Sequence, residues 1–109
     1  MTTVTRDTLK AMLDRGDHVM LVEVLAERAY RQWHLPGAVN LPLLALQQWA
    51  DERLPDKSAT IVLYCLRDAC TSSQRAAQQL RALGYLDVRE YPGGKEDWRD
   101  AGLPIEMGA

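Results

Sequence analysis

Two cysteines, Cys65 and Cys70, enclose the short polar stretch Leu66-Arg67-Asp68-Ala69, and they are the side chains of this chain best suited to covalent chemistry. A cysteine attacks as its thiolate, and a helix N-terminus lowers a thiol pKa from ~8.5 into roughly the 3.5–7.5 range. The successive N–H groups of Leu66, Arg67, Asp68, Ala69, Cys70 and Thr71 can surround an anion as a backbone nest. Arg67 adds a positive charge at the mouth of that cradle. The chemistry this favours is nucleophilic attack by Cys65, with the charge it handles held by main-chain donors.

Such a site has to be positioned, and the flanking residues do so. Ile61, Val62, Leu63 and Tyr64 are bulky and uncharged, which suits a strand buried on both faces of a parallel sheet. From Gln74 onward, Ala76, Ala77, Leu80 and Leu83 recur at three- and four-residue spacing, and Gly84 follows as a C-cap glycine. Cys65 therefore falls at the carboxyl end of a strand, just before a helix. Open α/β sheets bind ligands there, and helix N–H groups gather negative charge there.

The rest of the chain alternates strands and helices. Thr5 is an N-cap for a helix carrying Leu9, Met12 and Leu13, stopped at Gly16. His18 to Val24 is a second buried strand, and Glu23 within it needs a partner or an exposed strand tip. A hydrogen-bonded strand-end carboxylate, taking backbone or arginine donors, is the expectation for Glu23. A helix over Ala26 to Trp33 is followed by turns at Pro36-Gly37 and Pro42, with an extended piece, Ala38 to Leu41, between them. A helix over Leu43 to Leu54, a strand over Val88 to Tyr91, the loop Pro92-Gly93-Gly94 and a helix over Glu96 to Ala101 complete the order. The pattern predicts an α/β fold with a mostly parallel sheet and helices on both faces.

The chain has 109 residues, 47% hydrophobic and 26% charged, and reads as a single domain over 1–109 with the composition of a globular protein. A net charge of −2 argues against nucleic-acid binding and against a polybasic membrane anchor. No apolar run approaches the ~18 residues of a membrane span, and the N-terminus lacks a signal-peptide core. A cytoplasmic location follows as an expectation, and in that reducing compartment the cysteines read as catalytic, redox-active or metal-binding.

Five segments in order resemble the rhodanese-like (sulfurtransferase) family. They are LVEV at 21–24, HLPGAVNLPL at 34–43, IVLYC at 61–65, AAQQLRALGY at 76–85 and YPGGKEDWRDAGLPI at 91–105. The resemblance implies a rhodanese-like α/β domain with a central parallel five-stranded sheet and helices on both faces. It implies that Cys65 is the catalytic residue, becomes a persulfide, and passes its outer sulfur to an acceptor. The partners would be a small sulfur-containing anion such as thiosulfate, a thiol, and a protein acceptor of sulfur. No metal and no organic cofactor is implied. A non-enzymatic binding or redox-sensing module built on the Cys65/Cys70 pair is the alternative function.

The chain departs from the family at several positions. Many active members carry arginine or serine five residues after the cysteine, where this chain has Cys70. The AAQQL segment lies two residues further from Cys65 than in the common pattern, so the loop is longer or the helix gains half a turn at its start. The position six residues on, where phosphatase relatives place an oxyanion-clamping arginine, is Thr71, which disfavours phosphoryl transfer.

Cys70 is a small loop-filling residue, a resolving thiol that leaves a Cys65–Cys70 disulfide, or a zinc ligand. The disulfide requires the Cα atoms to approach within ~7 Å. Zinc would need His18 or His34, and neither has paired-ligand spacing. Lys95 is either a solvated residue at a helix start or a substrate cation acting with Arg67. His34 reads as a structural residue at the Pro36-Gly37 turn, and Leu25, where the family often has arginine, leaves an ion pair common in the family either absent or rebuilt through Arg28 or Arg31.

Overall fold

The structure is a computed structural model that describes residues 2–68 and 70–108. Helix α1 (Arg6–Asp14) leads into strand β1 (Val19–Glu23), helix α2 (Glu27–Gln32) and the short strand β2 (Val39–Asn40). A 3-10 turn at Leu43–Ala45 opens helix α3 (Leu46–Arg53). Strand β3 (Thr60–Tyr64), helix α4 (Ser72–Ala82), strand β4 (Asp87–Tyr91) and helix α5 (Gly94–Asp100) follow.

The strands lie in the order β2-β1-β3-β4, and every pair is parallel. Register places Glu23 beside Asn40 and Tyr64, and Tyr64 beside Tyr91, so all four strands end at one edge of the sheet. Residues that follow those ends meet there, which is how a strand-end cysteine comes to share a site with distant loops.

The pleat sorts the core into two layers. On one face Val22, Ile61, Leu63, Cys65 and Val88 pack against Leu46 and Ala50 of α3 and Ala76, Ala77 and Leu80 of α4. On the other, Leu21, Val62, Tyr64 and Tyr91 pack against Leu9 of α1, Leu35 and Trp98 of α5. The central strand β3 is covered on both sides, which explains its unbroken apolar run. Each such Leu or Ile contributes ~1.5–3 kcal/mol by leaving water.

Thr5 caps α1 as its residue type suggests, its side chain accepting from the N–H of Thr8. That cap also limits the sheet. The resemblance implied five strands, and among the described residues the sheet has four; there the chain start meets β4 through one parallel bridge, Thr3 to Glu90. Val4 N donates to Glu90 O and Glu90 N to Thr2 O, and the chain then turns into α1. A fifth strand cannot lengthen when its third residue onward is committed to a helix cap. No helix among the described residues is long and apolar enough to cross a membrane.

Candidate functional site

Cys65 is the first residue beyond β3, and it is 2% exposed. It belongs to the layer formed with α4, and Ser73 Oγ in the first turn of that helix lies 3.8 Å from its Sγ. Helix α4 starts at Ser72, half a turn ahead of Gln74. Its N-cap, Thr71, makes no side-chain capping bond. Among the described residues no side chain caps the first turn of this 11-residue helix, the end where a helix carries roughly +0.5 charge.

The loop folds back over the strand end. Cys70 N donates to Arg67 O at 3.0 Å, and this turn brings the Cα atoms of Cys65 and Cys70 to 6.4 Å, where the two sulfurs form a disulfide. Among the described residues, the N–H groups of Leu66, Arg67, Asp68 and Thr71 have no protein acceptor. Ala69 lies outside the described residues. Leu66 and Cys70 are half-buried, and Arg67, Asp68 and Thr71 are exposed. With its sulfur bonded to Cys70, Cys65 is not a nucleophile; it becomes one on reduction.

Helix α5 grips the same loop from the other side. Lys95 N donates to Cys65 O at 2.9 Å, and Glu96 N to Leu66 O at 3.0 Å. The contact is close enough to require glycine: a Cβ on Gly94 would stand 2.6 Å from Leu66 O and from Arg67 N, and its φ is +74°. Arg67 closes the grip with two contacts to Glu96, Nε to Oε1 and Nη2 to Oε2, both at 3.1 Å. The positive charge expected at the mouth of the cradle is therefore matched by a carboxylate. An exposed pair of this kind contributes only ~0.2–1 kcal/mol, and its effect is to orient the loop.

Lys95 is neither solvated nor placed to hold a substrate. It is 1% exposed, and Nζ lies 3.2 Å from Glu23 Oε2, 3.0 Å from Ala29 O and 2.7 Å from Trp33 O, beneath the Trp33 ring. The physical reason is Glu23, which is fully buried on the face of the sheet opposite the Cys65 sulfur and needs a counter-charge. Tyr64 OH donates to the other carboxylate oxygen at 2.9 Å and in turn accepts from Leu35 N. Burial holds the Glu23 carboxyl above its ordinary range, a shift that Lys95 and the Tyr64 hydroxyl only partly offset. Glu23 thus takes a lysine and a tyrosine, not arginine or backbone donors, while Arg31 pairs with Glu27 on its own helix.

His34 is structural, by a different contact from the one expected. Its Nδ1 lies 2.8 Å from Tyr30 O and its ring stacks on Tyr30, while Glu106 Oε1 accepts from Gly37 N in the turn. His18 precedes β1 at the amino edge of the sheet, far along the strands from Cys65. Among the described residues, no group of three or more His, Cys, Asp or Glu side chains is arranged to hold a metal ion. Sequence reasoning missed Ser73, Gly94 and the Glu23–Tyr64–Lys95 network. The signal available was the carboxylate in an apolar strand, which demanded a buried donor.

The chain matches the rhodanese-like domain family over residues 5–101. It is 34% identical over 106 residues to an HTH-type transcriptional regulator of Mycobacterium tuberculosis, a match that covers 97% of this chain and 45% of the regulator. It is 34% identical over 76 residues to the thiosulfate sulfurtransferase PspE of Escherichia coli, covering 70% of each chain. Among solved structures, a thiosulfate sulfurtransferase from Pseudomonas aeruginosa superposes with a TM-score of 0.88 at 31% identity, over 100% of this chain and 20% of that one. A protein from Bacillus halodurans superposes with a TM-score of 0.90 at 28% identity, over 97% of this chain and 77% of that one. The chain thus spans less than half the length of the regulator.

Two substitutions test this geometry. Lys95→Ala strands the buried Glu23 carboxylate and should cost ~3–5 kcal/mol in denaturant unfolding, because a buried charge is left unpaired. If stability held while the Michaelis constant for thiosulfate rose, Lys95 would be a substrate cation after all. Gly94→Ala should destabilise by ~1–3 kcal/mol through its left-handed backbone alone. It should also displace the Leu66–Arg67 peptide, read as altered amide chemical shifts confined to the loop and the start of α5.

Proposed function

The chain belongs to the rhodanese-like domain family, and on that premise we propose that it is a sulfurtransferase carrying a sulfane sulfur as a persulfide on Cys65. The observation that carries this reading is the position of the Cys65 sulfur, at the end of β3 and against the uncapped first turn of α4. Reduced Cys65 at that point is stabilised as a thiolate by the helix N-terminus. The likeness to thiosulfate sulfurtransferases of two bacteria supports the substrate class.

The first step is attack of the Cys65 thiolate on the outer sulfur of thiosulfate. A sulfur–sulfur bond forms at Cys65, the bond to the sulfonate breaks, and sulfite leaves with the electron pair. The persulfide keeps one negative charge, which the N–H groups of Leu66, Arg67, Asp68 and Thr71 receive together with the start of α4. Arg67 is held by Glu96 and Lys95 is buried with Glu23, so recognition of the donor rests on main-chain donors and the helix. In the second step a thiophilic acceptor such as cyanide, a small thiol or a protein thiol takes the outer sulfur and frees the thiolate. No cofactor takes part.

A second reading has the Cys65–Cys70 disulfide in its favour: a redox-sensing module, to which the likeness to a transcriptional regulator also fits. The two differ in what reduced protein does with thiosulfate. As a sulfurtransferase it releases one equivalent of sulfite per chain in a single turnover and makes thiocyanate when cyanide is supplied. Double-reciprocal plots should be parallel, the mark of a covalent intermediate. Cys65→Ser should lose both activities. A protein that forms its disulfide under mild oxidant but releases no sulfite would instead be the redox module.

A further inference from the structure

We propose that Cys70 converts sulfur transfer at this site into sulfide release, displacing the outer sulfur of a Cys65 persulfide and closing the disulfide that an external dithiol reopens. The inference rests on the reading of Cys65 as the persulfide carrier. What it adds is a product, hydrosulfide, and a second substrate class, a dithiol reductant.

The geometry that supports it is the reach of Cys70. Its sulfur bonds directly to Cys65 Sγ while β3, α4 and the α5 contacts to Cys65 O and Leu66 O are all in place. Cys70 thus meets the inner sulfur of a Cys65 persulfide with no element moved. Attack at the inner sulfur forms the Cys65–Cys70 bond and breaks the bond to the outer sulfur, which leaves with the electron pair. The anionic persulfide and the Cys70 thiol become the disulfide and hydrosulfide, with the Cys70 proton going to the departing sulfur. Two cysteine sulfurs are oxidised by two electrons in all, and the sulfane sulfur is reduced to sulfide.

Exposure decides how the cycle reopens. Cys65 is 2% exposed, whereas Cys70 is half-buried beside exposed Thr71. An incoming thiolate therefore attacks the Cys70 sulfur and expels Cys65 as the leaving thiolate. Cys65, against the start of α4, is the sulfur better stabilised as an anion, and a leaving thiol of lower pKa leaves faster. The mixed disulfide on Cys70 is then released by the second thiol of the reductant, an intramolecular step favoured by high effective concentration. Over one cycle, thiosulfate and a dithiol give sulfite, hydrosulfide, a proton and the oxidised dithiol. A reaction that regenerates the dithiol must accompany this one.

The test is a single turnover under anaerobic conditions. Full-length protein is reduced, freed of reductant and mixed with thiosulfate. The expected result is one equivalent each of sulfite and sulfide per chain and an intact mass ~2 Da below the reduced protein, the signature of a disulfide. Cys70→Ser and Cys70→Ala should release sulfite but no sulfide and gain ~32 Da, a retained persulfide. Wild-type protein that keeps the added sulfur and releases no sulfide would overturn the inference while leaving the transfer reading intact. Equal sulfide from wild type and both Cys70 variants would overturn it too. If no variant released sulfite, the transfer reading itself would fall, and this inference with it.

Discussion

The site depends on how the carbonyl end of β3 is held. A strand that stops at a functional loop leaves carbonyls without a neighbouring strand, and a buried unpaired carbonyl is costly. Here the start of α5 meets that need: Lys95 N and Glu96 N donate to Cys65 O and Leu66 O. The carbonyls of Cys65 and Leu66 are thus fixed by main chain. Gly94 is what allows α5 to come so near, since any side chain would strike the Leu66–Arg67 peptide.

The helix that provides this grip is itself anchored by charge. Lys95 reaches across to Glu23, to the carbonyls of Ala29 and Trp33, and under the Trp33 ring. One ammonium thereby ties α5 to the end of β1 and to the last turn of α2, on the face of the sheet away from the sulfur. A buried pair of this sort adds little net stability compared with apolar packing, but it cannot be broken on one side without a large cost. Its consequence is positional. The same residue gives its N–H to the loop and its side chain to the core, so the loop and the sheet move together.

With the scaffold fixed in this way, the loop's own side chains are spared the task of holding charge. Arg67 is engaged by Glu96, and Asp68 is exposed and carries the wrong sign for an anion. Beside the sulfur lies the start of α4, and the N–H groups of Leu66, Arg67, Asp68 and Thr71 have no acceptor among the described residues; in the proposed transfer these are the groups that would stabilise a thiolate or persulfide. The one side chain in the loop that changes the chemistry is Cys70. By bonding Cys65 it ties up that sulfur, so the proposed transfer requires the Cys65–Cys70 disulfide to be reduced first.

The sequence by itself determined the order of the elements, the burial of the Ile61–Tyr64 strand, the Thr5 cap and the strand-end place of Cys65. Each of these follows from side-chain period, residue shape or a local hydrogen bond, and such signals are carried within a few neighbouring residues. The segment likeness to the rhodanese-like family extended this to the sheet, with four strands where five were implied because Thr5 turns the chain into α1 after one bridge. Only the tertiary structure decided the rest. Lys95 reads locally as a surface lysine beside two glycines, and its burial is set by Glu23, 72 residues away in the chain. Arg67 finds its carboxylate 29 residues on, in α5. The approach of Cys70 to Cys65 depends on a loop turn held at its start by α5. Partner choice among charges depends on which elements fold against each other, and no local pattern encodes that.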